Sequence, residues 1–240
     1  MARTARATVG GICYHVLNRG NDRKIIFPEP DAFDEFLTLV SIARAKHSVD
    51  IFAYCLMPNH FHFVVRPRHN DSLAAWVHWL LTTHAQAHRR RYGTAGHLWQ
   101  GRYKASPIET DHHLVTVIRY VERNALRANL VERAEAWRWG SLRERLGFTS
   151  ETILDEAPCA LPTEWAREVN AIESESTLRA VRKSVDTERP FGSESWVRKT
   201  EAEFGARFTV RTRGRPKKTQ NAGSAGPEEK QGSGRLFPKK

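Results

Sequence analysis

The sequence predicts an α+β fold, and three observations carry that expectation. Residues His60, Phe61, His62 and Phe63 alternate in character, the period of a strand with two unlike faces. Two other stretches space their apolar residues three and four apart, the period of a helix lying on a core. One holds Phe33, Phe36, Leu37, Val40 and Ala43; the other holds Leu73, Trp76, Val77, Leu80 and Leu81. With the remaining β-rich runs they give the order β-α-β-β-α-β, a ferredoxin-like split βαβ sheet with helices on one face and the other face left for a site.

Each element has a local reason. Residues 10–17 (Gly-Gly-Ile-Cys-Tyr-His-Val-Leu) read as the first strand, and the turn-rich Asn18-Arg19-Gly20-Asn21-Asp22 stops it. A helix over 31–46 starts at Pro30 or Asp31. Residues 49–56 are β formers, and the Met57-Pro58-Asn59 corner makes a hairpin with the strand that follows. Asp71 or Ser72 caps the second helix. Its basic end, Arg89-Arg90-Arg91, suits the helix dipole and equally suits phosphate. Residues 102–109 close the sheet as a fourth strand. A third helix over 111–128 has the stripe Leu114, Val117, Ile118, Val121 and Ala125, with Tyr120 and Asn124 one turn apart on one face. Trp137 and Trp139 read as an anchor that folds the chain back on the core, in preference to a base-stacking platform. Residues 162–182 look helical, and 190–208 look like a small helical element. From Val210 the chain is poor in apolar residues and rich in Gly, Lys and Arg, a composition that predicts disorder.

Lys and Arg total 38 against 27 acidic residues, a net charge of +11 that favours a polyanionic partner. Nucleic acid fits better than a membrane surface, because no strongly basic helix with a clean apolar face stands out. Cys13, Cys55 and Cys159 form no CxxC pair, which argues against a disulfide framework or a thiolate zinc site. The basic start lacks a following apolar core, and no run of about 18 apolar residues occurs, so the expected location is cytoplasmic.

His60 and His62 share one strand face and can reach one divalent cation, although two surface histidines would look the same. With Asn124 they make an N,N,O set compatible with Mg²⁺ or Mn²⁺. Tyr120 adds a phenol, able to attack a metal-polarised phosphodiester and form a covalent phosphotyrosine. Taken alone, a tyrosine such as Tyr120 is more often a packed helix residue than a nucleophile, and Asn124 reads also as a capping or backbone-bonding residue. His78, His84, His88, His112 and His113 receive no chemistry. Candidate nucleic-acid contacts are Arg19, Arg89, Arg90, Arg91, Arg102 and Lys104. In the tail they are Arg213, Arg215, Lys217 and Lys218, where Arg-Gly-Arg-Pro is narrow enough for an A·T minor groove.

Four stretches together resemble a known family. They are Tyr14-His15-Val16 with Asn18-Arg19-Gly20, Met57-Pro58-Asn59-His60-Phe61-His62, Leu98-Trp99-Gln100-Gly101-Arg102-Tyr103-Lys104, and the run from Arg119 to Ala128. They look like the HUH single-tyrosine (IS200-like) transposases of small bacterial insertion sequences, the closer branch being the REP-associated tyrosine transposases. The resemblance implies a nuclease acting on single-stranded DNA, with His60 and His62 as metal ligands and Tyr120 as the nucleophile that forms a 5′-phosphotyrosine and frees a 3′-OH. Asn124 stands where insertion-sequence relatives have a Gln as third ligand, and the family's Asn-Pro reads Asn124-Ala125 here. The branch implies a palindromic repeat that folds into a hairpin beside a guide tetranucleotide, and a basic C-terminal extension such as Gly214-Arg215-Pro216. A monomer or a homodimer is expected, with no membrane partner. The expected layout is a nuclease domain over 8–145, a helical extension over 146–209 and a DNA-contacting tail over 210–240. The alternatives are a catalytically silent hairpin-DNA-binding or regulatory protein and, more weakly, an RNA binder, although no RNP-like strand is present.

Overall fold

A computed structural model describes residues 8–150 and 152–204. Four strands, β1 (Cys13–Arg19), β2 (Val49–Met57), β3 (His60–Pro67) and β4 (Lys104–Ile108), make one antiparallel sheet in the order β2-β3-β1-β4. Helix α1 (Pro30–Lys46) joins β1 to β2, and α2 (Ser72–Tyr92) joins β3 to β4. This is the expected β-α-β-β-α-β order.

Alternation along β3 decides how the sheet packs. Phe61 and Phe63 are fully buried in one core with Phe36, Trp76 and Leu80 from α1 and α2. Each such side chain contributes roughly 1.5–3 kcal/mol by leaving water. A slip of one residue would drive His60 and His62 into that apolar layer, so the register is strongly specified. It sets Arg19 and Met57 opposite His60, and Leu17 and Cys55 opposite His62.

The second face, expected to lie free, carries its own apolar cover. Cys13, Phe52, Cys55 and Val64 pack against Leu114, Val117, Ile118 and Val121 of α3 (His112–Glu122). That row of the sheet is as apolar as the first, and leaving it in water would forfeit the same kind of burial energy. The open part of this face is therefore the end of the sheet around His60, which is half-buried.

Some boundaries differ from expectation. Strand β1 runs on through Asn18 and Arg19, because these pair across to Phe61 and His60. Asp71 adopts a positive φ of 62° at the start of α2 and makes no side-chain cap bond. The third helix is interrupted at Arg123 and resumes as the short α4 (Asn124–Arg127). There the Tyr120 carbonyl accepts a bond from Arg127 Nη2 at 3.2 Å.

Downstream, α5 (Ser141–Arg145), α6 (Trp165–Asn170), α7 (Glu175–Thr187) and α8 (Glu194–Phe204) follow, so the helical stretch expected over 162–182 is two helices. The two tryptophans do anchor the chain. Trp137 Nε1 donates to the Leu56 carbonyl at 2.8 Å, and Trp139 stacks on Phe33 at 4.1 Å and donates to Asp34 at 2.8 Å. The buried Glu122 carboxylate then gathers Ser141, Arg145 and Trp165 at 2.8, 3.0 and 2.6 Å. None of the described helices is long and apolar enough to cross a membrane. The expected disorder from Val210, the last residues of the 146–209 extension and the whole 210–240 tail lie outside the described residues.

Candidate functional site

The site begins with the pair of histidines on β3. His62 is 5% exposed, and its Nδ1 lies 2.8 Å from His15 Nε2 on the neighbouring strand. The two residues sit diagonally in the β1–β3 register, since His15 pairs with Val64. His60 Nδ1 donates to Asn59 Oδ1 at 2.6 Å. Both rings thus use Nδ1 within the protein, leaving each Nε2 as the nitrogen for a ligand. A partner on the second ring nitrogen fixes the orientation and tautomer of a metal-binding imidazole.

Burial holds these rings neutral. It pushes the His15 pKa down to about 3, assisted by the charge of Arg127. It pushes His60 down to about 4, with Arg19 and Arg127 acting the same way. His62 is lowered well below the ordinary value by burial, then by His15, His60 and Arg127. Neutral imidazole is the form that ligates metal.

Helix α3 brings Tyr120 to this wall. Its ring centroid lies 6.0 Å from that of His62 and 5.7 Å from that of His15, both edge-on. Arg127 lies over the ring, its guanidinium carbon 4.0 Å from the Tyr120 centroid. The same guanidinium donates to Asn124 Oδ1 at 2.9 Å and to Glu173 Oε2 at 2.9 Å. Asn124 is 8% exposed, and its Nδ2 is buried without a partner. An amide oxygen has two lone pairs, so the bond from Arg127 leaves Oδ1 one acceptor position.

Two neutral imidazoles held by Nδ1 and an amide oxygen with a spare lone pair are donors of the kind a divalent cation accepts. A separate group, Asp111, His112 and His113, also offers ligand atoms within 4.8 Å of one another. Its carboxylate is already engaged, accepting from the His113 backbone at 2.7 Å and sitting 2.8 Å from the His113 ring. It also stands at the positive end of α3, where a cation is disfavoured.

The expected nucleic-acid contacts are scattered. Arg19 lies opposite His60 and donates through Nε to Gln100. Arg89 and Arg102 line a cavity of about 460 Å³ between α2 and residues 97–103. Arg90 is exposed at the end of α2. Arg91 is paired with Glu29 at 2.9 Å and Lys104 with Asp186 at 2.8 Å, so both are partly neutralised. Arg213, Arg215, Lys217 and Lys218 lie outside the described residues. His84 packs among Phe27, Phe36 and Trp99, which makes it a core residue. Three members of the site were given no role by sequence reasoning: His15, Arg127 and Glu173. His15 and Arg127 do lie inside stretches that carry the family resemblance, and Arg119, Arg123 and Arg127 are spaced four apart, but neither signal assigned them a role.

Residues 8–124 match the family model described as "Transposase IS200 like". Over that stretch, just under half of the chain, the protein is similar to the IS200-like transposases. That match takes in His60, His62, Tyr120 and Asn124 and ends before Arg127. The fold is also that of a solved structure described as the REP-associated tyrosine transposase bound to a REP hairpin. The similarity has a TM-score of 0.50 and 14% identity, and covers 68% of this chain and 100% of that one. A putative transposase from Deinococcus radiodurans R1 is similar at 18% identity and a TM-score of 0.35, over 50% of this chain and 96% of that one. No curated protein matches the chain.

Proposed function

We propose that this protein is a single-stranded DNA endonuclease and strand transferase acting on hairpin-forming repeats, with Tyr120 as nucleophile. The observation that carries the reading is the Tyr120 ring held edge-on to His62 and His15, on a strand wall where His60 and His62 both spend Nδ1 within the protein. The IS200-like domain supports transposition chemistry, and the fold shared with a hairpin-bound transposase supports the substrate. The working layout is a nuclease domain over 8–145, a helical extension over 146–209 and a basic tail over 210–240.

Mg²⁺ or Mn²⁺ would be held by His60, His62 and Asn124, and would supply Lewis acidity at the scissile phosphate. The rest of the chemistry belongs to the chain. The Tyr120 phenol oxygen bonds to phosphorus and gives up its proton, while the bond from phosphorus to the 3′ oxygen breaks. That oxygen leaves with the bonding electrons and takes up a proton, giving a 3′-OH and a 5′-phosphotyrosine. Attack by a 3′-OH on the phosphotyrosine reverses the step and rejoins DNA. The bond energy is kept throughout, so no nucleotide triphosphate is needed, in keeping with the missing GxxxxGK[ST] pattern. Tyr120 meets the histidines of its own chain, which supports its use in cis. Arg19, Arg89, Arg90 and Arg102 would hold the DNA backbone, making affinity fall with salt.

The test is a single-stranded hairpin oligonucleotide incubated with the protein and Mn²⁺, then run on a denaturing gel. A protein–DNA adduct that disappears with chelator is the expected result. Strand cleavage with no adduct, or an adduct indifferent to chelator, contradicts the reading.

A further inference from the structure

The IS200-like match stops at Asn124, yet a carboxylate from far beyond it reaches the site. Glu173 lies between α6 and α7, with its side chain 2% exposed. A carboxylate buried that deeply is stable only when paired. Its partners are Arg127 Nη1 at 2.9 Å and, more loosely, Arg123 Nε at 3.7 Å.

The segment that carries Glu173 is already held without it. Arg119 donates to the carbonyls of Glu168 and Ala171 at 2.7 and 2.9 Å. Arg123 donates to those of Val169 and Asn170 at 2.8 and 2.6 Å. These bonds satisfy the orphan carbonyls at the end of α6. Arg127, the next residue in the same row, does something different. It spends one nitrogen on Glu173 and points the other at Asn124 Oδ1 and the Tyr120 carbonyl, with its plane against the Tyr120 ring. A guanidinium is a rigid planar fork, so fixing one nitrogen fixes the direction of the rest.

We propose that Glu173 is a positioning residue of the active site, acting through Arg127 on Tyr120 and Asn124. It aims the guanidinium, and it offsets a positive charge that would otherwise stand bare beside the amide assigned to the metal. The segment between α6 and α7 is thereby part of the catalytic unit. The proposal rests on the function given above for Tyr120 and Asn124.

The test compares full-length protein with Glu173→Gln, Arg127→Lys, the double variant and Arg119→Ala. Arg119→Ala removes a clamp on the same segment that has no reach into the site. Three quantities are read: Mn²⁺ affinity by calorimetry without DNA, the single-turnover cleavage rate, and hairpin affinity without metal. Glu173→Gln is expected to lower Mn²⁺ affinity and cleavage rate by about tenfold or more, the usual effect of losing a partner behind a ligand. Hairpin affinity stays within about twofold, because positioning does not bind the DNA backbone. The double variant loses no more than Arg127→Lys alone, as coupled residues should, and Arg119→Ala retains wild-type Mn²⁺ affinity and rate. Wild-type affinity and rate in Glu173→Gln, equal losses in Arg119→Ala, or additive losses in the double variant overturn the proposal. If Glu173→Gln does not fold, Arg127→Lys, which keeps a buried cation for Glu173 but loses the fork, carries the same test. If Tyr120→Phe cleaves normally, the function fails separately, and the Mn²⁺ arm still judges Glu173.

Discussion

Two groups of histidines lie toward opposite ends of α3, and they differ in what surrounds them. At the start, Asp111, His112 and His113 cluster closely, with His112 exposed and Asp111 spent on capping the helix. At the far end, Tyr120 meets His15 and His62, both at least nine-tenths buried, with each ligand ring fixed through Nδ1. The first group is closely spaced, and the second carries the buried, oriented imidazoles on which the proposed chemistry rests. A metal site is defined less by how many donors crowd together than by whether they are neutral, oriented and otherwise unspent.

The sharpest way to break that comparison is to remove each group in turn. Replacing His60 and His62 together by Ala should lower adduct formation at least about a hundredfold, since both imidazoles proposed to hold the metal are lost. His112→Ala with His113→Ala should change it by less than about twofold, because both rings stand at the end of α3 away from Tyr120. The reverse ranking in the same gel assay would move the metal centre to the start of α3.

The next largest effect belongs to His15. His15→Leu removes the partner of His62 Nδ1 and is expected to lower Mn²⁺ affinity by about 10–100-fold in calorimetry. His15→Gln, which still offers an acceptor, should recover part of the loss. Equal affinities for both variants and the wild type would show that the His15–His62 bond orients nothing.

A pH dependence of stability follows from the same burial. The folded-state values of His15 and His60 are about 3 and about 4, against an ordinary 6.5. Below pH 6.5 the unfolded chain takes up protons that the folded chain refuses, so stability falls with acidification through that window and is insensitive to these rings above it. The thermal midpoint should therefore drop from pH 6.5 toward pH 4, and the drop should shrink in His15→Leu. A midpoint that rises on acidification would contradict the neutral assignment.

The smallest effect is expected at Asp111. Asp111→Ala removes an N-cap bond and should cost about 1 kcal/mol of stability by denaturant titration, with adduct formation unchanged. A loss of adduct without a loss of stability would give the capping group a catalytic role.

Much of this arrangement was legible in the chain because it is local. The His60–Phe63 alternation announces both the apolar face and the face that carries His60 and His62. The one-turn spacing of Tyr120 and Asn124 survives the break at Arg123. His15 lies in a stretch that carries the resemblance, but its contact with His62 was not legible, since it depends on the β1–β3 register, which no local pattern states. Glu173 was further out of reach, because a single Glu in a mixed-charge stretch carries no sign of being buried against an arginine from another element. The cover on the second sheet face was missed for a related reason. A strand buried on both sides still shows alternation when one of its rows happens to contain two histidines.

The most direct test of the account is to react wild type and Tyr120→Phe with the same hairpin strand and Mn²⁺, digest the protein, and map the nucleotide-bearing peptide by mass spectrometry. The adduct should sit on the peptide containing Tyr120 and be absent from the variant, which should still bind the hairpin. An adduct on another residue, or undiminished cleavage by Tyr120→Phe, would contradict the central claim.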